Sequence, residues 1–320
     1  MIEIETLFYQ IDDFCQAFSP IFESHLLPHK VVKRKRKYKL SLSEVATIVV
    51  YFHCSGYRNF KDYYVKYVLK HFQLEFPKLV SYNRFVELIP SVLMPLILYL
   101  NTRKGEVTGI SFIDSTRLPI CSNNRATRNK VFEGLANWGK SSTGWFFGFK
   151  LHLIINDKAD ATQPPLYGDW NAHQEGELLS FQVTPGNVDD RVPVKDLVEE
   201  LFGKLYGDKG YISSPLFQKL FEKGIKFITP FRKKMKNRLL PMIDKIMLRK
   251  RSLIETVNDQ LKNISQISHS RHRSVLNFMV NIIAGLIAYT HQEKKPSLNL
   301  DHEEYTYLPS MLTPSESLLF

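Results

Sequence analysis

The sequence predicts an α/β protein built on a mixed sheet, with a helical region before it and further helices after it. Three observations predict this. Residues 1–104 carry long apolar runs of helical period and few strand signals. From Gly109 onward, short β-branched and aromatic runs separated by turn residues take over. After the third such run, strands alternate with helical segments, as they do where crossover helices cover a sheet.

In the first region Leu42, Val45, Ile48, Val49 and Phe52 follow the capping-box pattern Ser41-x-x-Glu44, which starts a helix. Short helices are expected at Phe60–Lys70 and Ser81–Leu88, where Lys78, Tyr82 and Arg84 surround an apolar seam compatible with a helix-turn-helix. Strands are expected at 109–113, 145–155, 177–184, 204–208 and 225–231, and helices at about 191–202, 213–223, 247–264 and 274–290. The order β-β-β-α-β-α-β-α is that of the ribonuclease H fold. An inserted loop is expected at 159–175, because without it Asp157-Lys158 would meet Gly176 in a plain hairpin turn. The organisation is then a helical domain at 1–104, an α/β domain at 105–290 and a polar, proline-containing tail at 291–320, expected to be partly disordered.

The 320 residues, 44% apolar and 12% aromatic, suffice for a full core in two or three packing units. Lys and Arg number 43 against 32 Asp and Glu, and the resulting charge of +11 attracts polyanions, either nucleic acid or an anionic membrane surface. No run is read as the ~20 apolar residues that cross a bilayer. The longest candidate, Phe278–Tyr289, is broken by Asn281 and reads as a buried helix, so no membrane partner is expected. Acids in Met1-Ile2-Glu3-Ile4-Glu5 stand where a secretory signal has basic residues, which points to the cytoplasm. Cys15, Cys54 and Cys121 are widely spaced and lack a CxxC pair, suggesting neither disulfides nor zinc.

The informative residues are acids. Asp114 ends the run Gly109-Ile110-Ser111-Phe112-Ile113, at the strand edge where open α/β sheets bind ligands. Taken alone it reads equally well as a cap. Asp208 follows Leu205-Tyr206-Gly207 and precedes Lys209-Gly210, a strand delivering an acid to a glycine-flanked turn; a plain tight turn is the other reading. Leu166-Tyr167-Gly168-Asp169 repeats that tetrapeptide inside the expected insertion, and Asp169 is rejected because no strand-helix unit follows it. Glu255 lies on a helix with the apolar stripe Leu253, Ile254, Val257, Leu261 and Ile264, where Arg251, Asp259 and Lys262 also suit a solvated, ion-paired face. The combination decides, since the first and fourth strands of this fold are neighbours and the three acids can converge. Such a cluster suits phosphodiester chemistry at two Mg2+ ions, replaceable by Mn2+, which prefer carboxylate oxygens and sit about 3.5–4 Å apart.

At these residues the chain resembles the DDE transposases of bacterial insertion sequences, over about residues 109–290. In the group it is most similar to, the last helix carries Tyr, Arg, Glu and Lys with two, three and six residues between them; Arg251, Glu255 and Lys262 match, and Leu248 stands at the tyrosine position. The strand Phe147-Gly148-Phe149-Lys150-Leu151-His152-Leu153 and the turn Thr184-Pro185-Gly186-Asn187-Val188-Asp189-Asp190 are similar too. The resemblance implies that Asp114, Asp208 and Glu255 are the catalytic, metal-holding triad and that Arg251 and Lys262 contact DNA phosphates or a terminal base. It implies double-stranded DNA as partner, both terminal inverted repeats and target, and a homodimer in a synaptic complex in the bacterial cytoplasm, at the nucleoid. Lys150 and His152 share a strand face that could approach DNA, a hydrogen-bonded structural imidazole being an equal reading for His152. Asp189 and Asp190 are expected to cap a helix starting near Arg191.

Basic runs at Lys33-Arg34-Lys35-Arg36-Lys37-Tyr38-Lys39 and Phe231–Arg238 suit phosphate neutralisation or a solvated surface. His269 and His272, three apart with no third ligand nearby, read as DNA contacts or solvated side chains before zinc ligands. The expected activity is cleavage at element ends by activated water, then attack of the freed 3′-hydroxyl on target DNA. A ribonuclease H-like nuclease without strand transfer, or a DNA-binding derivative that no longer catalyses, are the alternatives.

Overall fold

The computed structural model describes residues 2–26, 39–157, 176–232, 239–268, 272–293 and 295–296. Lys33, Arg34, Lys35, Arg36 and Lys37, the expected insertion at 159–175, residues 233–238 of the second basic run, His269 and most of the tail lie outside the described residues. The chain forms two compact units.

The first unit joins Met1–Lys104 with Pro119–Leu135 and Asp259–Glu293. Its N-terminal helices are α1 (Ile4–Leu26), α2 (Leu42–Phe52), α3 (Phe60–Tyr63), α4 (Leu69–His71), α5 (Tyr82–Leu88) and α6 (Leu93–Thr102), with a π turn at Tyr64–Val68 linking α3 to α4. The capping box forms as expected: the Glu44 N–H donates to Ser41 Oγ, and the Ser41 N–H donates to the Glu44 carboxylate. Val45, Ile48, Val49 and Phe52 of α2 are buried, and the helix packs against α1 and against the last helix, Val275–Thr290. Gly285 of that helix has a packing reason, because a Cβ there would lie 2.2 Å from Ile267 Cγ2. The helix-turn-helix pattern is not realised, since Phe72–Ser81 separates the two helices where the motif has about three or four turn residues. The run Tyr82–Thr102 is long and apolar enough to cross a membrane by length and composition, which corrects the sequence reading. It is not one uniform helix: a 3-10 turn at Ile89–Val92, with Pro90, separates α5 from α6, and Phe85, Leu88, Leu96 and Leu100 are buried in the unit's core.

The second unit contains Gly105–Leu118 and Ala136–Asn258. Residues 119–135 and 259–290, expected with the α/β domain, group with the helices instead. Their apolar side chains explain it: Phe132 is buried edge-on against Phe278 of the last helix, ring centroids 5.2 Å apart. The strands are β1 (Ile110–Pro119), β2 (Asn137–Ser141), β3 (Gly144–Asn156), β4 (Leu178–Pro185), β5 (Gly203–Tyr206) and β6 (Ile225–Ile228). They form one mixed sheet in the order β2-β3-β1-β5-β6, with β4 also paired to β3. β5 is parallel to β1 and β6, whereas β3 is antiparallel to β2 through Gly144–Gly148 and to β4 through Phe149–Ile155. β2 is an addition to the expected order. Its Asn-Trp-Gly-Lys-Ser composition hides it, and Gly139 is required because a Cβ there would lie 2.4 Å from the Gly186 carbonyl oxygen.

The helices of this unit are α7 (Val194–Leu197), α8 (Ser214–Glu222), α9 (Met242–Lys250) and α10 (Ser252–Asn263), the last running past the unit's edge at Asn258. α7 is shorter than the expected 191–202: the chain leaves it through a turn in which the Leu201 N–H donates to the Val198 carbonyl, and then enters β5 at Gly203, φ +83°. The single helix expected at 247–264 is two, broken at Arg251, and Ile264 falls beyond the end and is exposed. Side-chain alternation gives the sheet two faces. Ile113 and Leu205 point into a core with Leu197 of α7 and with Leu216 and Leu220 of α8. Phe112 and Tyr206 point the other way, toward α9, whose fully buried Asp244 accepts from Tyr206 Oη at 2.9 Å and Lys204 Nζ at 2.8 Å. Lys204 lies opposite Lys226 in the β5–β6 register, so Asp244 also separates two like charges. Asp244→Ala should cost about 1–3 kcal/mol through the orphaned Tyr206 hydroxyl, seen as a lower urea midpoint at unchanged slope.

Candidate active site

The register of β1 on β5 builds the site. Phe112 pairs with Tyr206, and each strand delivers an acid two residues later, Asp114 and Asp208. The two-residue period of a strand aims both toward the Phe112 and Tyr206 face. β1 continues to Pro119, which corrects the expectation that Asp114 ends its strand; the pairing with β5, however, stops at Phe112, and Asp114 stands just past it. Gly207 leads into Asp208, and a Cβ on it would come within 2.9 Å of the Phe227 ring and 3.1 Å of Ile113 Cγ2. Asp208 Oδ1 accepts from the Gly210 N–H at 2.7 Å, so the acid caps its turn while lying beside Asp114.

α10 covers this face with Leu253, Ile254 and Val257 buried. Asn258 Nδ2 donates to Asp114 Oδ2 at 3.0 Å, tying the helix to β1. One turn earlier Glu255 is half exposed, and Arg251 donates to its Oε1. Burial raises the pKa of Asp114 from 3.8 to about 6; the Arg251 charge and the Ser115 N–H oppose this, and the charges of Asp208 and Glu255 add to it. Asp208, Glu255 and Arg251 thus all act on Asp114. Among the described residues no three Asp, Glu, His or Cys side chains are close enough to hold a metal ion as they stand. Each carboxylate has a protein partner instead: Asn258 for Asp114, Gly210 for Asp208 and Arg251 for Glu255.

The other predicted residues fall elsewhere. His152 is fully buried in the core, with Nε2 2.8 Å from Thr184 Oγ1 and its pKa lowered to about 4 by burial. Lys150 Nζ donates to the Val188 carbonyl and to Asp190 Oδ1 at 2.9 Å, so its charge is spent inside the unit. Neither Asp189 nor Asp190 caps a helix: Asp189 binds the backbone and guanidinium of Arg191, and α7 begins after Pro193. Lys262 lies near the end of α10, on the segment grouped with the helical unit. Arg232, a described member of the second basic run, donates to the Lys209 carbonyl at 3.2 Å, next to Asp208.

Two features were missed. Asn258 carries a legible signal, a polar residue on the apolar stripe four residues after Ile254 and three before Leu261. The other is a cavity of about 990 Å³ inside the helical unit. Arg58, Lys61, Arg125 and Arg273 line it together with Phe60 and Tyr82, and no acid does so among the described residues. These cations come from three separate stretches of chain, Arg58 and Lys61 sharing one, so no single local run announces them. Lys61 Nζ lies 5.9 Å from the Tyr82 ring centroid.

A family model described as the transposase DDE domain matches residues 104–164 and 171–275, more than half of the chain and a span that includes Asp114, Asp208 and Glu255. No curated protein matches the chain.

Proposed function

Because the chain belongs to the transposase DDE domain family, we propose that it is an insertion-sequence transposase that cuts DNA at element ends and joins the freed 3′ ends to target DNA. What supports this reading is that Asp114 and Asp208 follow the paired residues Phe112 and Tyr206 of adjacent parallel strands, and that the helix bearing Glu255 is tied to Asp114 through Asn258. The antiparallel β4–β3 pair beside the parallel β1–β5–β6 strands supports a ribonuclease H-like core.

The donor set suits a hard divalent cation, being all oxygen, and such an ion would offset first the burial and then the neighbouring acid charges that raise the pKa of Asp114. Asp114, Asp208 and Glu255 would hold it, Mg2+ in two copies on this reading and Mn2+ as a substitute. When bound, it would supply charge stabilisation for the attacking and leaving oxygens of an in-line displacement. The chain's own groups do the rest. Arg251, shared with Glu255 at rest, is free to turn to a phosphate once that carboxylate is engaged, and Lys262 adds a second cation on the same helix. The four cations of the helical cavity and the net charge of +11 suit phosphate neutralisation on duplex DNA. Two ends must be processed together, so a homodimer on paired inverted repeats completes the reading.

The test is joining. A duplex with a pre-cleaved inverted-repeat end, mixed with supercoiled plasmid and Mg2+, is expected to become covalently attached. Nicking without attachment would mark a nuclease, and binding without either would mark a silent DNA-binding derivative.

A further inference from the structure

We propose that Asn258 is a positioning residue of this site, fixing Asp114 through its amide and offering its carbonyl oxygen to the divalent cation that the carboxylates would hold; this rests on the triad reading above. Asn258 is 5% exposed. Its Nδ2 donates to Asp114 Oδ2 at 3.0 Å, and its Oδ1 is buried with no hydrogen-bond partner among the described residues. A buried acceptor without a partner is costly, and one next to a carboxylate is not explained by packing. Hard divalent ions take Asn carbonyl oxygens alongside carboxylates, so the unused oxygen has the right chemistry.

The helix register adds a second argument. Asn258 occupies the stripe that Ile254 and Leu261 bury, a place where an apolar residue would pack better and where Asn is a mediocre helix former. It stands one turn after Glu255, and its bond to Asp114 therefore ties the helix bearing one acid to the strand bearing another. Asn258 is in this sense the strut that sets the distance between them.

Melting of the full chain across a Mn2+ titration tests the idea, with Asn258→Ala, Asn258→Asp and Asp114→Asn beside the parent. The parent should gain stability with Mn2+. Asn258→Ala should need roughly 10- to 100-fold more ion for the same half-rise, as losses of partners to metal ligands do. Asn258→Asp keeps an oxygen but cannot donate to Asp114 and adds a like charge; it should melt lower without ion and rise further with it, and it carries the test if the alanine variant does not fold. A purely structural tie would lower ion-free melting and leave the half-point and the rise at parental values, which would overturn the proposal. Should the parent show no Mn2+-dependent rise, or keep it in Asp114→Asn, the triad reading fails and this inference with it. A parental rise that Asp114→Asn abolishes, with unchanged values in both Asn258 variants, would sink the role of Asn258 alone.

Discussion

Asp208→Ala is expected to abolish strand cleavage while leaving binding to element-end DNA nearly intact, and Asp169→Ala is expected to do neither. Asp208 lies two residues past β5, the parallel strand next to β1, and its charge acts on Asp114. Removing a carboxylate that holds a catalytic cation forfeits several kcal/mol of transition-state stabilisation, at least about 10²- to 10³-fold in rate. The same substitution deletes the cap on the Gly210 N–H, so a modest loss of stability of about 1 kcal/mol should accompany it. Asp169 lies outside the described residues and shares only the local tetrapeptide with Asp208. Single-turnover cleavage of end duplexes, read beside a binding isotherm, separates the two acids. Equal losses in both variants, or a loss confined to Asp169→Ala, would reverse the assignment of the second acid.

The second large effect is on stability in acid. His53 is 1% exposed, its Nδ1 donates to the Ser265 carbonyl, and burial lowers its pKa from 6.5 to about 4 against the opposing pull of that bond. The unfolded chain takes up the imidazole proton near pH 6.5, whereas the fold resists it until about pH 4. More protons bind the unfolded state across that interval, so the stability contribution is whole above pH 6.5 and is lost progressively as pH falls to 4, up to about 3 kcal/mol. His272 acts in the same sense, lowered to about 4 by burial first and by the charge of His53 second. Urea midpoints of the parent should therefore fall between pH 7 and pH 5, and His53→Gln should flatten that fall. A parental midpoint independent of pH over this range would contradict the account.

How much of this was legible follows from what kind of information each feature needs. The strands at 145–155 and 177–184 announce themselves through β-branched and aromatic runs, and the last helix through a long apolar run interrupted by Asn281. The acid at Asp208 is legible from a short apolar strand before it and a turn after it, whereas Asp114, expected at its strand's end, lies inside β1, because Ser115 to Pro119 continue the strand. The side chains that mislead are those settled by partners far along the chain. Lys150 is held by Asp190, 40 residues away, a pairing that strand alternation cannot foresee, whereas the Thr184 contact of His152, 32 residues away, matches the hydrogen-bonded imidazole that was one of its two readings. β2 was hidden for the converse reason, since Trp138 is its one strong strand former and pairing with β3 overrides the rest. Asn258 carried a visible signal, a polar residue on an apolar stripe, whose meaning depended on knowing that β1 lies beneath it.

Manganese soaked into crystals of the full chain tests the central claim most directly, through anomalous scattering. The account predicts an ion bonded to oxygens of Asp114 and Asp208, with Glu255 drawn from Arg251 toward it. Carboxylates still resting on Asn258, Gly210 and Arg251, with no anomalous peak among them, would contradict it.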